Sequence, residues 1–431
     1  MSGSQKGIYT SSKSDAATSD QRIHVALLTG GADRPYAFGL AGSLINEVAA
    51  LDVVGNDELD CSELRDLSGV RFFNLRGDQS PDADLYTKII RVLKYYSRLI
   101  CYSAAAKPKL FHILWNNKFE YFDRTLLMLW YRALGKKVVL TLHNVNLRRR
   151  DCKDTIINRA TLRIQYRFAD HIFVHTKKMK QELIKEFGEQ DKRITVIPFG
   201  INNAVPNTEL TSRDARKRMG ILDREKTVLF FGNIAPYKGL EYLIAAFHQT
   251  AHQDCRLIIA GRPKNCENYW SAIRSEINDD VQKGRIVLKD EFIPDEDTEI
   301  YMKGADVLVL PYRHIDQSGV LFLGYSFGLP VLAADVGCLR DEIIEGRTGF
   351  VFRPEDPADL ARVIDRYFAS DLYADLSRRR REIRDYATEQ HSWDIVAKLT
   401  TNIYSTLTNP EAGPTASNCD ASNASPESNL S

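Results

Sequence analysis

Apolar residues fall into short continuous runs separated by segments with helical spacing. In the first half the runs are IHVALLTG (23–30), VRFFNL (70–75), LFHILW (110–115), KVVLTLH (137–143), HIFVHT (171–176) and ITVIPFG (194–200). In the second half they are TVLFFG (227–232), RLIIAG (256–261), IVLKD (286–290), DVLVLP (306–311), PVLAAD (330–335) and GFVF (349–352). Uninterrupted apolar strands alternating with helices predict parallel sheets covered on both faces. Twelve such strands exceed the usual width of one open sheet, so two sheets are expected. Between them GINNAVPNTELTSRDARKRMG (200–220) breaks the alternation with Asn, Pro, Thr and Ser. The pattern predicts an α/β chain of two doubly wound Rossmann-like domains, 21–205 and 206–390. Residues 1–20 and 409–431 are rich in Ser, Asn, Ala, Thr and Pro and are expected to be disordered tails.

Doubly wound sheets bind ligands beyond the C-terminal ends of their strands, so two of them facing each other form a cleft. Ligand chemistry is therefore expected at the strand ends. Gly30 and Gly31 follow the first strand, as plain turn glycines or as a loop lining the cleft. This is not GxGxxG, which argues against a dinucleotide oxidoreductase. In the second half, FFGNIAPYKGLEYLIAAF places Gly232 and Lys238 between a strand and an amphipathic helix. A helix N-terminus offers free N–H groups and partial positive charge, and a lysine beside it suits a phosphate. Gly261 and Arg262 end the next strand, and Asp316-Gln317-Ser318-Gly319 opens another helix. There Ser318 is a candidate cap, and the N–H groups of Gly319 and Val320 are candidate phosphate donors. Each of these residues has an ordinary structural reading. Their placement at equivalent ends of one sheet favours a common ligand.

Composition sets limits. The chain has 431 residues, 44% hydrophobic and 27% charged, as in a soluble globular protein. A formal net charge of +1 gives no case for nucleic acid. Seven scattered cysteines without a CxxC pair argue for reduced thiols and against a zinc site. No apolar run reaches the length of about 20 residues that spans a bilayer, and the N-terminus lacks the apolar core of a secretory signal. The expected location is cytoplasmic. Two DxD-like strings, Asp82–Asp84 and Asp295–Asp297, sit at helix starts, so no metal ligands are assigned. Residues 85 to 119 contain seven Lys or Arg and no Asp or Glu, with Lys88, Arg91, Lys94 and Arg98 at helical spacing among Ile, Leu and Tyr. Such a segment fits either a sheet-packing helix with a solvated edge or a face lying on an anionic membrane.

The blocks FFGNIAPYKGLEYLIAAF, RLIIAGRP, FIPDEDTEIYMKGADVLVLPYR and GYSFGLPVLAADVGCLRDEIIEGRTGFVFRPEDPADLARVI resemble the nucleotide-sugar-binding domain of the GT-B glycosyltransferases, specifically retaining family four. The first half is similar through TGG, TLHNV, ADHIFVHT and VIPFGIN. The resemblance implies a GT-B fold with a helix over 391–408 crossing back to the first domain. It implies a nucleoside-diphosphate sugar donor, UDP or GDP, with no further cofactor. It makes Lys238 a contact of the donor diphosphate, Ile293 a backbone contact of the base, and His143 a group facing the transferred sugar. An arginine customary after the glycine is Asn233 here, and Arg262 is a candidate replacement. Two customary glutamates fall on Ile315 and Leu323, and Asp316 is the nearest acid to take over sugar contacts. The implied activity moves a hexose-type sugar to a glycan or lipid-linked acceptor in surface polysaccharide assembly, at the inner face of the membrane. The alternative is a catalytically weak relative that serves as a binding or scaffolding subunit.

Overall fold

A computed structural model describes residues 23–409, apart from 32, 80–82, 151–153, 203 and 253. The two expected tails and Asp82 lie outside the described residues. The chain forms two parallel sheets. The first has seven strands in the order β3-β2-β1-β4-β5-β6-β7: β1 His24–Leu28, β2 Ala50–Gly55, β3 Val70–Asn74, β4 Leu110–Ile113, β5 Lys137–Leu142, β6 His171–Val174 and β7 Ile194–Val196. The second has six in the order β10-β9-β8-β11-β12-β13: β8 Lys226–Phe231, β9 Cys255–Ala260, β10 Ile286–Lys289, β11 Val307–Leu310, β12 Val331–Ala334 and β13 Gly349–Phe352. All pairings between named strands are parallel. The two-sheet architecture is the expected one.

One strand was missed. In β2, ALDVVG, Asp52 interrupts the apolar run, yet this carboxylate is buried in the sheet. It is sustained by partners from elsewhere in the chain. Oδ1 accepts from Arg71 at 2.6 Å and lies 3.0 Å from His24 Nε2, and Oδ2 accepts from the Tyr102 hydroxyl at 2.9 Å. A buried carboxylate needs such pairing, and the sequence does not show it.

The segment 85–119 divides. Leu85–Ala105 is a helix capped by Asp84, whose carboxylate accepts from the Thr87 N–H. It buries Tyr95, Tyr96 and Leu99 against the first sheet and leaves Leu85, Tyr86, Ile89 and Leu93 exposed. No described helix is long and apolar enough to cross a membrane.

The chain passes between the sheets at 201–211 and returns near 391–393. Helix Leu376–His391 ends beside the second sheet, and helix Trp393–Thr408 packs on helix Arg34–Leu44 of the first domain. The two crossings touch: the Ile201 N–H donates to the His391 carbonyl at 2.9 Å, and the Trp393 indole N–H donates to the Ile201 carbonyl at 2.8 Å. The indole also lies against Gly39 and Gly200, where an added Cβ would overlap it.

Candidate active site between the two sheets

The C-terminal ends of β1, β4, β5 and β8 to β11 face a cleft. Part of it is a cavity of about 400 Å³ lined from the first domain by Asp33, Pro35 and Tyr36, and from the second by Asn233, Tyr237, Gly319, Val320 and Leu323. A second part, about 470 Å³, is lined by Lys178 and Glu182 on one side and by Arg313, Asp316 and Gly337 on the other. An ion pair between Arg34 and Asp295 at 3.1 Å also joins the domains. It uses the first residue of the second DxD-like string, which opens helix Asp295–Gly304.

Gly232 turns the chain out of β8 with φ 93°, a conformation open to glycine. A short 3-10 turn, Pro236–Lys238, and Gly239 (φ 65°) then lead into helix Leu240–Gln249. Lys238 is buried by this turn, its ammonium 5.4 Å from the Tyr312 ring centroid and 3.1 Å from where a Cβ on Gly232 would stand. A side chain at 232 would thus press on the lysine. The turn sets the lysine beside the cavity lined by Asn233 and Tyr237. Arg262 borders the same turn, its carbonyl accepting from the Ile234 N–H at 2.8 Å. It is exposed at the end of β9 and lies over the Phe292 ring at 5.3 Å. Ile293, beyond β10, is buried next to it. From β8 to β10 is two strand spacings, about 10 Å, so the lysine and Ile293 occupy distinct stations along one edge.

Ser318 is the N-cap residue of helix Gly319–Ser326, but its side chain makes no cap hydrogen bond. The expected serine cap is therefore corrected: the hydroxyl does not occupy the first N–H groups of the helix. At Gly319 the nearest atom to an added Cβ would be the Phe199 ring, 4.0 Å away. The missing side chain leaves space on the cavity side. Asp316 precedes this turn and lines the other cavity. Gly337 packs so closely on the Ile315 carbonyl that a Cβ there would overlap it, which fixes the loop carrying Asp316. Ile315 and Leu323, at the customary glutamate positions, line one cavity each, and Leu323 is buried.

On the first domain Gly30 and Gly31 have φ of 63° and 70°, and a Cβ at Gly30 would stand 2.5 Å from the Trp115 carbonyl oxygen. Trp115 follows β4 and stacks on His143, which follows β5, with centroids 4.1 Å apart and planes 2° from parallel. The Tyr36 ring meets His143 edge-on at 4.6 Å. Burial drives the pKa of His143 well below its ordinary value and that of His175 to about 4, so both are neutral at pH 7. Their tautomers follow from their partners. His175 Nδ1 lies 3.3 Å from the Ile197 carbonyl, which only accepts, so Nδ1 carries the proton and Nε2 is bare. His143 Nδ1, 3.2 Å from that bare nitrogen, must then be the donor. His143 Nε2 is left as a lone-pair acceptor, buried and without a hydrogen-bond partner. It is suited to accept a hydrogen bond from a hydroxyl group. The aromatic surround of Tyr36, Trp115, His175, Phe199 and Trp393 has no local sequence signal, because each residue comes from a different strand end or helix.

Two family models match the chain: Glycosyl transferases group 1 over residues 225–370 and Glycosyltransferase Family 4 over 88–205. An uncharacterised glycosyltransferase of Methanocaldococcus jannaschii is 27% identical over 233 residues, 53% of this chain and 58% of that protein. A D-inositol 3-phosphate glycosyltransferase of Corynebacterium urealyticum is 24% identical over 311 residues, 70% of this chain and 69% of its own. The chain thus spans little more than half of the first relative and about two thirds of the second. An Anabaena protein solved in complex with UDP and glucose shares the fold, with a TM-score of 0.69 at 16% identity over 90% of this chain and all of that one.

Proposed function

Since the chain belongs to the group 1, family 4 glycosyltransferases, we propose that it transfers a hexose-type sugar from a nucleoside-diphosphate sugar, UDP- or GDP-linked, to a hydroxyl acceptor. The observation that carries this reading is the buried Lys238 at the Gly232 turn, beside a cavity lined by both domains. As the glycosidic bond breaks, negative charge grows on the leaving diphosphate. Lys238 and the open N–H groups around Gly319 and Val320 stabilise that charge more in the transition state than in the ground state. His143 Nε2 accepts from a sugar hydroxyl, and Asp316 holds the ring from the second domain. The anomeric configuration is retained, with a donor phosphate oxygen taking the acceptor proton. Closure of the two domains excludes water, which would otherwise hydrolyse the donor. Arg262, whose carbonyl accepts from the Ile234 N–H next to Asn233, is the candidate to take the place of the customary arginine.

The acceptor is a lipid-linked or growing glycan of surface polysaccharide, met at the inner face of the membrane. The exposed Leu85, Tyr86, Ile89 and Leu93, with the cations of the same helix, support peripheral contact with anionic lipid. The competing reading is a binding or scaffolding subunit. It is favoured by Leu323, an apolar residue on the wall of the donor cavity where the family customarily has an acid. Thermal melting with UDP-, GDP- and ADP-sugars and their free diphosphates, followed by a donor-dependent transfer assay, separates the two. A melting shift with one nucleotide series and measurable transfer supports the enzyme. A shift without any transfer supports the subunit, and no shift at millimolar nucleotide counts against the donor site and favours the subunit.

A further inference from the structure

His143 and His175 leave neighbouring strands at the same level. Leu142 pairs with Val174 in the β5–β6 register, and each histidine is the next residue. The His175 ring is fixed from the backbone on both sides. The Ile197 N–H donates to the Val174 carbonyl at 2.9 Å, which continues the β6–β7 ladder and brings the Ile197 carbonyl to 3.3 Å from His175 Nδ1. Thr176 then opens helix Lys177–Phe187, its hydroxyl accepting from the Met179 N–H at 3.0 Å. The buried ring meets Phe199 and Tyr36 edge-on at 5.0 and 5.6 Å. Its other nitrogen, Nε2, faces His143 Nδ1 at 3.2 Å. A carbonyl that cannot donate therefore closes one end of this row and sets the direction of every proton in it. His175 Nδ1–H donates to Ile197, and His143 Nδ1–H donates to His175. The reverse order would set lone pair against lone pair at Ile197 and leave a buried acceptor unpaired.

The consequence lies at His143. A free neutral imidazole can carry its proton on either nitrogen. Here His175 takes the Nδ1 proton, so His143 Nε2 has none to give. His143 lines a cavity of about 190 Å³ beyond the ends of β4 and β5, and its Nε2 has no hydrogen-bond partner among the described residues. We propose that His175 is a positioning residue that locks His143 as an acceptor, so that the donor site selects sugars presenting a hydroxyl donor to it. A hydroxyl donates to the bare nitrogen. A fluorine, a carbonyl or a carboxylate in the same place has no proton to offer and leaves both groups unpaired. The lock stands on the hydrogen-bond geometry; the selectivity rests on the glycosyl-transfer reading of the same site.

The nitrogen resonances of the full chain carrying isotope-labelled histidine read the lock without any ligand, His143 being assigned by its absence from His143→Phe. Wild type is expected to show His143 protonated at Nδ1 and bare at Nε2. His175→Asn keeps a donor for the Ile197 carbonyl but is too short to reach His143. His175→Phe keeps a ring and loses both nitrogens. Each should move part of the His143 proton to Nε2, and the asparagine variant gives the reading should the phenylalanine variant fail to fold. His175→Gln, whose amide oxygen can accept from His143, should restore the wild-type pattern. Selectivity is read as release of free nucleoside diphosphate from UDP-glucose or GDP-mannose, whichever turns over, against its deoxyfluoro analogues at C3, C4 and C6. Fluorine at one of these positions should lower the wild-type kcat/KM by about tenfold or more. That penalty should fall to about threefold or less in His175→Asn, where His143 is free to donate, and persist in His175→Gln. A wild-type His143 protonated at Nε2, or a His143 pattern left unchanged by His175→Asn, overturns the lock. Equal fluorine penalties in wild type and His175→Asn overturn the selectivity. If wild type turns over neither donor, the transfer reading falls and the selectivity with it, while the resonances still decide the lock.

Discussion

Replacing Lys238 by methionine removes one charge and keeps the stem. The stem is what packs: the side chain is buried, with its end 5.4 Å from the Tyr312 ring and 6.0 Å from the Phe230 ring. Methionine fills that volume with a flexible thioether, so the fold should hold. Binding should change sharply. A hydrogen bond to a charged group is worth about 1.5–3 kcal/mol, and burial keeps this one from being screened. At about 1.4 kcal/mol per decade, the free nucleoside diphosphate should bind about 10- to 150-fold more weakly to Lys238→Met. The sugar transfer rate should fall at least as much, because diphosphate charge is greatest as it leaves. Calorimetry with UDP, GDP and ADP measures the first, and single-turnover transfer measures the second. Should the variant bind the preferred diphosphate within about twofold of wild type, the lysine does not contact it. The reasoning from the Gly232 turn would then be wrong.

His143→Phe keeps the stack on Trp115 and deletes the Nε2 acceptor, so sugar transfer should drop by about tenfold or more while UDP affinity holds; an unchanged kcat would refute the acceptor role. Asp316→Asn should likewise lower kcat with little effect on UDP binding, and a matched loss of UDP affinity would place Asp316 on the nucleotide instead. Gly200→Ala should destabilise the protein by about 1–3 kcal/mol in urea melts, because the new methyl group overlaps the Trp393 indole; a neutral result would mean that the closing helix moves freely. Stability should also fall steeply in acid. Burial holds the pKa values of His112 at about 3, of His171, His175 and His391 at about 4, and of His143 well below its ordinary value. Burial also pushes Asp123 up to about 6 and Glu342 to about 7. Near pH 5.5 the five histidines each gain almost one proton on unfolding, while the two carboxyls release nearly two between them. The net uptake of about three protons makes stability fall by about 4 kcal/mol per pH unit. Stability is therefore fullest above about pH 6.5, and melts that stay level from pH 7 to 5 would contradict these burials.

The two-sheet fold was legible because each sheet is built from apolar strands covered on both faces, and such strands announce themselves as continuous runs. The exception is β2, where Asp52 breaks the run and its partners His24, Arg71 and Tyr102 lie 19 to 50 residues away. The positions of Lys238 and Gly319 at strand ends were legible for a related reason: strand, turn and helix are consecutive in sequence. The serine cap failed because Ser318 satisfies the residue preference without making the bond. The surround of His143 was beyond reading, since its tautomer depends on His175 and on the Ile197 carbonyl, each set by the sheet. The basic helix could be read in two ways because spacing does not tell which cations face inward. The structure separates Lys88 and Arg91 from Lys94 and Arg98.

The paired chain crossings limit how the domains can move. Two free segments would permit sliding, twisting and separation. Here the Ile201 and His391 backbones are hydrogen-bonded and the Trp393 indole is tied to Ile201, with glycine contacts on both sides. The crossings therefore act as a single hinge pin, and relative motion reduces to rotation about it. Points far from the pin travel most for a given rotation, while the Trp393 end of the cavity stays nearly fixed. A change that stiffens the pin should slow ligand entry and exit together and leave the bond-breaking step untouched.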